Sequence, residues 1–227
     1  MNNGSPIDTK DQYAAKLSVN IMGGESYVLV NNVREYYRQL EDALADIKTD
    51  KKCSYLYFSF VALASATLEF SLNYILATYC FEKFGYHDYK RYLKIYEKIN
   101  FKDKLFVLPQ IIYEGKYVMN EDCSTIKNLY ELVSLRNNLL HNSENVQTFE
   151  SPEIGTIIVD GGLLVPWKKT DNGVVHFNFE VKDSIITTLS KEQCIGIGES
   201  LLNFRDLLMT PFLNHEPSTN CELLITK

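Results

Sequence analysis

The chain has 227 residues, 45% hydrophobic and 23% charged, a length and balance that allow one or two compact domains with a sizeable core. Its 29 acidic residues against 23 basic give a formal net charge of −6, which excludes a protein coated all round in positive charge but not a local basic site. Eleven Gly and six Pro exclude collagen-like or low-complexity architecture, while fifteen Tyr and twelve Phe supply rings for cores and stacking surfaces.

Residues 1–30 read as a polar lead-in with Gly4, Pro6, Gly23 and Gly24, and a short strand is expected over 27–30. The opening MNNGSPIDTK has neither a basic n-region nor an apolar run, so no signal peptide is expected there. Asn31 or Asn32 is placed to cap a helix whose apolar positions Val33, Tyr36, Tyr37, Leu40, Leu44 and Ile47 recur at three- and four-residue spacing, ending near Asp50. From 53 to 81 the only formal charge is Glu69. A helix of that length measures about 44 Å, enough to cross a bilayer. The stretch also carries Ser54, Ser59, Ser65, Thr67, Ser71, Asn73 and Thr78, and a central carboxylate opposes insertion. It is therefore predicted to be the buried central helix of a bundle in a cytoplasmic protein, forming a hairpin with the first helix.

A third helical region is predicted after Gly85 through YKRYLKIYEKI, followed by apolar sequence from 102 to 112 interrupted by Pro109. A fourth opens with a cap at Ser124 or Asp122, carries Ile126, Leu129, Tyr130, Val133 and Leu140 on one side, and stops at His141-Asn142-Ser143. Residues 31–145 thus have the makings of an antiparallel helical bundle.

Beyond 145 the period changes to two. Strands over 154–160, 163–169 and 174–182, separated by Gly161-Gly162 and Asp171-Asn172-Gly173, predict a three-stranded β-meander. Ser190 with Gln193 three residues on is a capping-box signal for a closing helix to about Met209. Residues 146–210 are expected to pack on the bundle, with 211–227 as a loosely attached tail. The fold class is mainly α: a helical bundle, then a meander and a C-terminal helix.

The five cysteines, Cys53, Cys80, Cys123, Cys194 and Cys221, form no C-x-x-C pair and read as reduced thiols. His87, His141, His176 and His215 show no metal-ligand spacing, and no cofactor motif is present, so neither metal nor cofactor is expected. Gly196 and Gly198 lie within a helical pattern and read as close-packing glycines rather than a phosphate loop.

The most informative segment is LRNNLLHN, residues 135–142, in which Arg136, Asn137 and His141 form R-N-x-x-x-H at the end of an amphipathic helix. The segment resembles the signature of the HEPN superfamily. That superfamily comprises small helical bundles, often dimeric, and includes metal-independent ribonucleases of toxin–antitoxin, CRISPR-linked and phage-defence systems. The resemblance spans about 120 residues, but its specific part is confined to these few positions. It implies a HEPN-like bundle and a homodimer bringing two motif copies around one cleft. A cognate antitoxin or defence-system protein is the further partner it implies. One departure matters: the tyrosine that some toxins of this superfamily present for modification, two residues after the motif histidine, is here Ser143. Regulation by adenylylation at that position is not expected.

The chemistry is intelligible from the side chains. On a regular helix Asn137 and His141 share a face, with Arg136 about 100° round from Asn137. RNA self-cleavage needs a group to take the 2′-OH proton, one to protonate the leaving 5′ oxygen, and positive charge on the phosphate. Histidine suits the proton transfers and arginine the phosphate. The same residues can instead serve structure, with His141 and Asn142 capping the helix and Arg136 pairing with a carboxylate. Glu69 is the candidate partner, since a lone acid in an apolar helix is costly unless paired.

A nucleic-acid surface is also expected locally. Between Lys83 and Lys104 there are seven Lys/Arg and three Asp/Glu, a balance of +4, against −10 for the rest of the chain. Lys90, Lys94 and Lys98 form one helical stripe and Tyr89, Tyr92 and Tyr96 another, suited to phosphates and stacked bases of single-stranded RNA. The alternative for the same stripes is an amphipathic helix with its tyrosines in the core and its lysines in water.

Overall fold

A computed structural model describes residues 19–22, 24–30, 32–49, 54–140, 156–159, 163–166, 189–208 and 222–226. Among them are five helices, α1 (Val33–Lys48), α2 (Ser54–Tyr96), α3 (Phe101–Ile112), α4 (Ser124–Leu140) and α5 (Lys191–Leu208). Six short strands accompany them, β1 (Val19–Met22), β2 (Glu25–Val28), β3 (Tyr117–Met119), β4 (Thr156–Val159), β5 (Leu163–Pro166) and β6 (Leu223–Ile225). The strands pair antiparallel as β1–β2, β3–β6 and β4–β5. The protein is therefore mainly helical, with small antiparallel ribbons.

α1 buries Val33, Tyr37, Leu40, Leu44 and Ile47, the stripe its spacing predicts. Asn32 stands at its N-cap, but the Asn32 side chain makes no capping bond; its carbonyl accepts from Glu35 N at 3.0 Å and Tyr36 N at 3.3 Å. α2 supplies Phe60, Val61, Ala64, Leu68, Leu72 and Leu76 to the core. Its hydroxyls survive burial by bonding one turn back, Ser65 Oγ to Val61 O at 2.7 Å and Ser71 Oγ to Thr67 O at 2.7 Å. By length and composition α2 could cross a membrane, and 56% of its most apolar window is buried inside the fold. α2 packs on α1, α3, α4 and α5, as a core helix does.

At Gly85 the backbone takes φ 73° and ψ 172°, so α2 is two helical runs, 54–84 and 86–96, joined at a bend. Only glycine visits that region without strain, which is why the helix redirects there. α3 begins at an Asn100 cap, whose side chain accepts from Asp103 N at 2.9 Å, and continues through Pro109 instead of breaking there.

α5 is not an accessory. Cys194, Ile197, Leu201 and Phe204 join the same core as α1 and α2, so the bundle extends past the boundary that the sequence suggests at 145. A Cβ on Gly198 would lie 2.8 Å from Leu44 Cδ1 and 3.1 Å from Phe60 Cζ, so this glycine lets three helices close up. Gly196 has ordinary space, its nearest neighbour being Asn128 Nδ2 at 3.5 Å, so close packing explains only one of the pair. Ser190 caps α5 by accepting from Gln193 N at 3.1 Å, but the Gln193 side chain completes no box and donates to Glu131.

Two expectations about the chain ends change. The C-terminal segment is no loose tail over 222–226: β6 pairs with β3 in the register Tyr117↔Ile225, and Leu223 and Glu222 are buried. The lead-in holds a β1–β2 hairpin over 19–28, paired Val19↔Val28, in place of a single strand at 27–30. β4 and β5 match the first two strands of the predicted meander, although shorter, while its third strand at 174–182 lies outside the described residues.

Candidate functional site

α4 turns Ile126, Leu129, Leu132, Val133 and Leu135 into the core. The residue after Leu135 is therefore rotated about 100° to the rim of that buried stripe. Arg136 occupies this position, with a quarter of its side chain exposed. Three contacts from three helices orient its guanidinium. Nη2 lies 3.6 Å from Oε2 of Glu69 on α2, Nη1 donates to Oδ1 of the adjacent Asn137 at 3.2 Å, and Cζ stands 5.9 Å from the Phe101 ring centroid on α3. The pairing of Arg136 with Glu69, motivated only by the isolation of that acid, is present in the fold. Glu69 keeps 45% of its side chain exposed, so it is a rim residue with access to water, not a fully buried charge.

One helical turn beyond Glu69, Asn73 Oδ1 accepts from Lys104 Nζ at 2.7 Å. Lys104 is 5% exposed, and burial pushes its ammonium below the usual lysine range against the opposing attraction of Glu69 and Glu97. The cluster Arg136, Glu69, Asn73 and Lys104 thus links α4, α2 and α3 by polar side chains. Beside it Lys102 Nζ stands 5.4 Å from the Tyr130 ring centroid, and burial with the nearby Glu121 carboxylate pushes the Tyr130 phenol up to about 12. Chemically, Arg136 is a cationic group held at the rim beside one carboxylate and able to hold an anionic group, while Lys104 faces the interior.

His141, the proton-transfer candidate, lies outside the described residues, as do Asn142 and Ser143. Arg136 and Asn137 are adjacent and hydrogen-bonded, which their sequence positions make local; the contact with Glu69 is the long-range one.

The basic stripe is divided by the fold. Lys90, Lys94 and Lys98 are exposed along the 86–96 run and the residues just after it. Tyr89 and Tyr92 are half-buried. Tyr92 stacks on Phe84 with centroids 3.7 Å apart, and Tyr89 meets Phe81 edge-on at 5.4 Å. Those tyrosine faces are committed to internal packing, as expected of an amphipathic helix. Lys83 is likewise engaged, 2.6 Å from Glu114 Oε1 and donating to Tyr79 OH at 2.9 Å. Lys104 belongs to the interior. The surface part of the basic segment therefore reduces to Lys90, Arg91, Lys94, Lys98 and Lys102.

Spacing could have found Lys104. It lies three residues after Phe101 and four before Leu108, on the apolar side of α3, where a lysine must either be paired or lose its charge. Tyr86, which stacks on Tyr27 from the β1–β2 hairpin at 3.8 Å, carried no such signal because the contact joins two elements distant in sequence.

Among the described residues no group of three or more His, Cys, Asp and Glu could hold a metal ion. Cys80 and Cys194 are buried free thiols that burial pushes up to about 11, so these two serve packing and not nucleophilic chemistry. No family model matches the chain, and neither a curated protein nor a solved structure does so.

Proposed function

We propose that the protein is a HEPN-type, metal-independent endoribonuclease of a prokaryotic defence or toxin-type system. It would cleave single-stranded RNA in the cytoplasm at a site built by two copies of the chain. The 2′-oxygen attacks the adjacent phosphorus and the bond to the 5′-oxygen breaks, leaving a 2′,3′-cyclic phosphate and a free 5′-OH. His141 handles the proton transfers, Arg136 holds the scissile phosphate, and Asn137 assists. The exposed Lys90, Lys94 and Lys98 guide the strand.

One observation carries this reading: Arg136 is oriented from two other helices, by Glu69 and Phe101, at the rim and not in the interior. A guanidinium held in place needs less reorganisation when a phosphate arrives. The same contact favours a second reading, in which Arg136 ties α4 to α2 and the protein is a non-catalytic nucleotide-binding or assembly module. Incubating the purified protein with single-stranded RNA in EDTA, beside Arg136→Ala and His141→Ala, separates the two. Cleavage lost in both variants is expected of the enzyme. Intact RNA throughout, with no growth defect on expression, selects the module.

A further inference from the structure

The β1–β2 hairpin and the helical run after Gly85 build a surface that the basic stripe alone does not describe. Gly85 redirects α2 so that Tyr86 meets Tyr27, the rings lying 3.8 Å apart and within 8° of parallel. His87 stands edge-on to both, at 6.3 Å from Tyr27 and 5.4 Å from Tyr86, and Tyr86 lies 6.4 Å from Tyr89. Tyr86 and His87 are exposed, whereas Tyr27, like Tyr92, is half-buried. Lys90 Nζ sits 5.9 Å from the Tyr89 ring centroid, and Lys94 and Lys98 continue at four-residue intervals.

We propose that Tyr27, Tyr86 and His87 form a base-stacking platform for single-stranded RNA, with Lys90, Lys94 and Lys98 taking the backbone phosphates of the same strand. The choice of RNA rests on the proposed function, but the binding needs none of its chemistry. Two features select the occupant. The platform leads along one helix into a cationic stripe about 12 Å long from Lys90 to Lys98, on a chain otherwise net acidic, so the surface complements a polyanion that also carries rings. A second copy fits poorly, because a two-fold contact would set the same lysines against each other. Two carboxylates, Asp88 and Glu25, flank the rings, and Glu25 accepts from Tyr27 OH. They keep phosphates off the platform itself and towards the lysines.

The test uses the full chain with a fluorescent 2′-O-methyl oligouridine, which has no 2′-OH to attack, and an abasic oligomer of equal length and charge. With three phosphate contacts, the log of the affinity should fall with the log of salt concentration at a slope of about −2. The abasic oligomer should bind at least about fivefold more weakly, the lower end of one stacked base. Tyr86→Leu should remove that preference while keeping the slope, and Lys90→Gln, at an exposed position, should cut the slope by about 0.7 while keeping the preference. Thermal unfolding of both variants confirms that they fold. Equal binding of the two oligomers, a preference unchanged in Tyr86→Leu, no binding at low salt, or a dimer lost in Tyr86→Leu would each overturn the proposal. Base-dependent binding without cleavage of ordinary RNA would remove only the ribonuclease reading.

Discussion

Replacing Glu69 by Gln keeps the volume of the side chain and removes its charge, which makes it the sharpest probe of what the ion pair does. At 3.6 Å between Arg136 Nη2 and Glu69 Oε2, Coulomb attraction is about 1 kcal/mol in a water-like dielectric and about 5 kcal/mol at an effective value of 20. Glu69 is 45% exposed and the distance exceeds a hydrogen bond, so the screened end applies and the pair contributes about 1 kcal/mol or less to stability. Orientation is a separate matter. Without the carboxylate the guanidinium keeps Asn137 and Phe101 but loses its ion pair with Glu69. Urea unfolding of Glu69→Gln, Arg136→Gln and the double variant gives the coupling energy, expected at about 0.5–1 kcal/mol. RNA cleavage by Glu69→Gln is expected to fall at least about tenfold, more than that stability change explains. A coupling near zero together with undiminished cleavage would refute the orienting role, and a loss of several kcal/mol would show that Glu69 is far better shielded from water than its exposure indicates.

Three further outcomes follow from the packing and the titrating groups. Gly198→Ala should destabilise by about 1–3 kcal/mol in urea unfolding, because its Cβ meets Leu44 at 2.8 Å, whereas Gly196→Ala, with its nearest neighbour at 3.5 Å, should be neutral or stabilising through helix propensity. Gly85→Ala should cost about 1–3 kcal/mol from its positive φ, and should also diminish base-dependent RNA binding if the bend seats Tyr86 on Tyr27. Lys104 has a folded-state pKa below its unfolded value near 10.4, so between the two the unfolded chain binds more protons and stability rises with pH. That gain is complete above the unfolded value and is lost as pH falls through the folded one; urea titrations should show the slope in the native chain and its absence in Lys104→Met.

The helices were legible because their apolar spacing matches what they bury: the stripe of α1, the serine-bearing α2 and the Ser190 cap of α5 all follow from local sequence. The bend at Gly85 was legible for the same reason, since glycine interrupts a helical pattern. What sequence could not supply was long-range pairing. β6 finds β3 across more than a hundred residues, and neither three-residue strand has enough length to announce itself. Pro109 misled in the other direction, for tertiary packing carries α3 through it. At the site, Glu69 and Arg136 could be paired by elimination because each was conspicuous, the first as the only charge in its stretch. Summing charge along the chain places Lys104 among the surface cations, although its position on the apolar side of α3 argues for the interior where it lies.

The most direct measurement is the fate of single-stranded RNA mixed with the purified full chain in EDTA, with the product ends identified. Products bearing a 2′,3′-cyclic phosphate and a 5′-OH are expected, absent with Arg136→Ala and with His141→Ala when both variants unfold as cooperatively as the native chain. Intact RNA, or identical cleavage by the native chain and both variants, would contradict the assignment of Arg136 and His141 as the site.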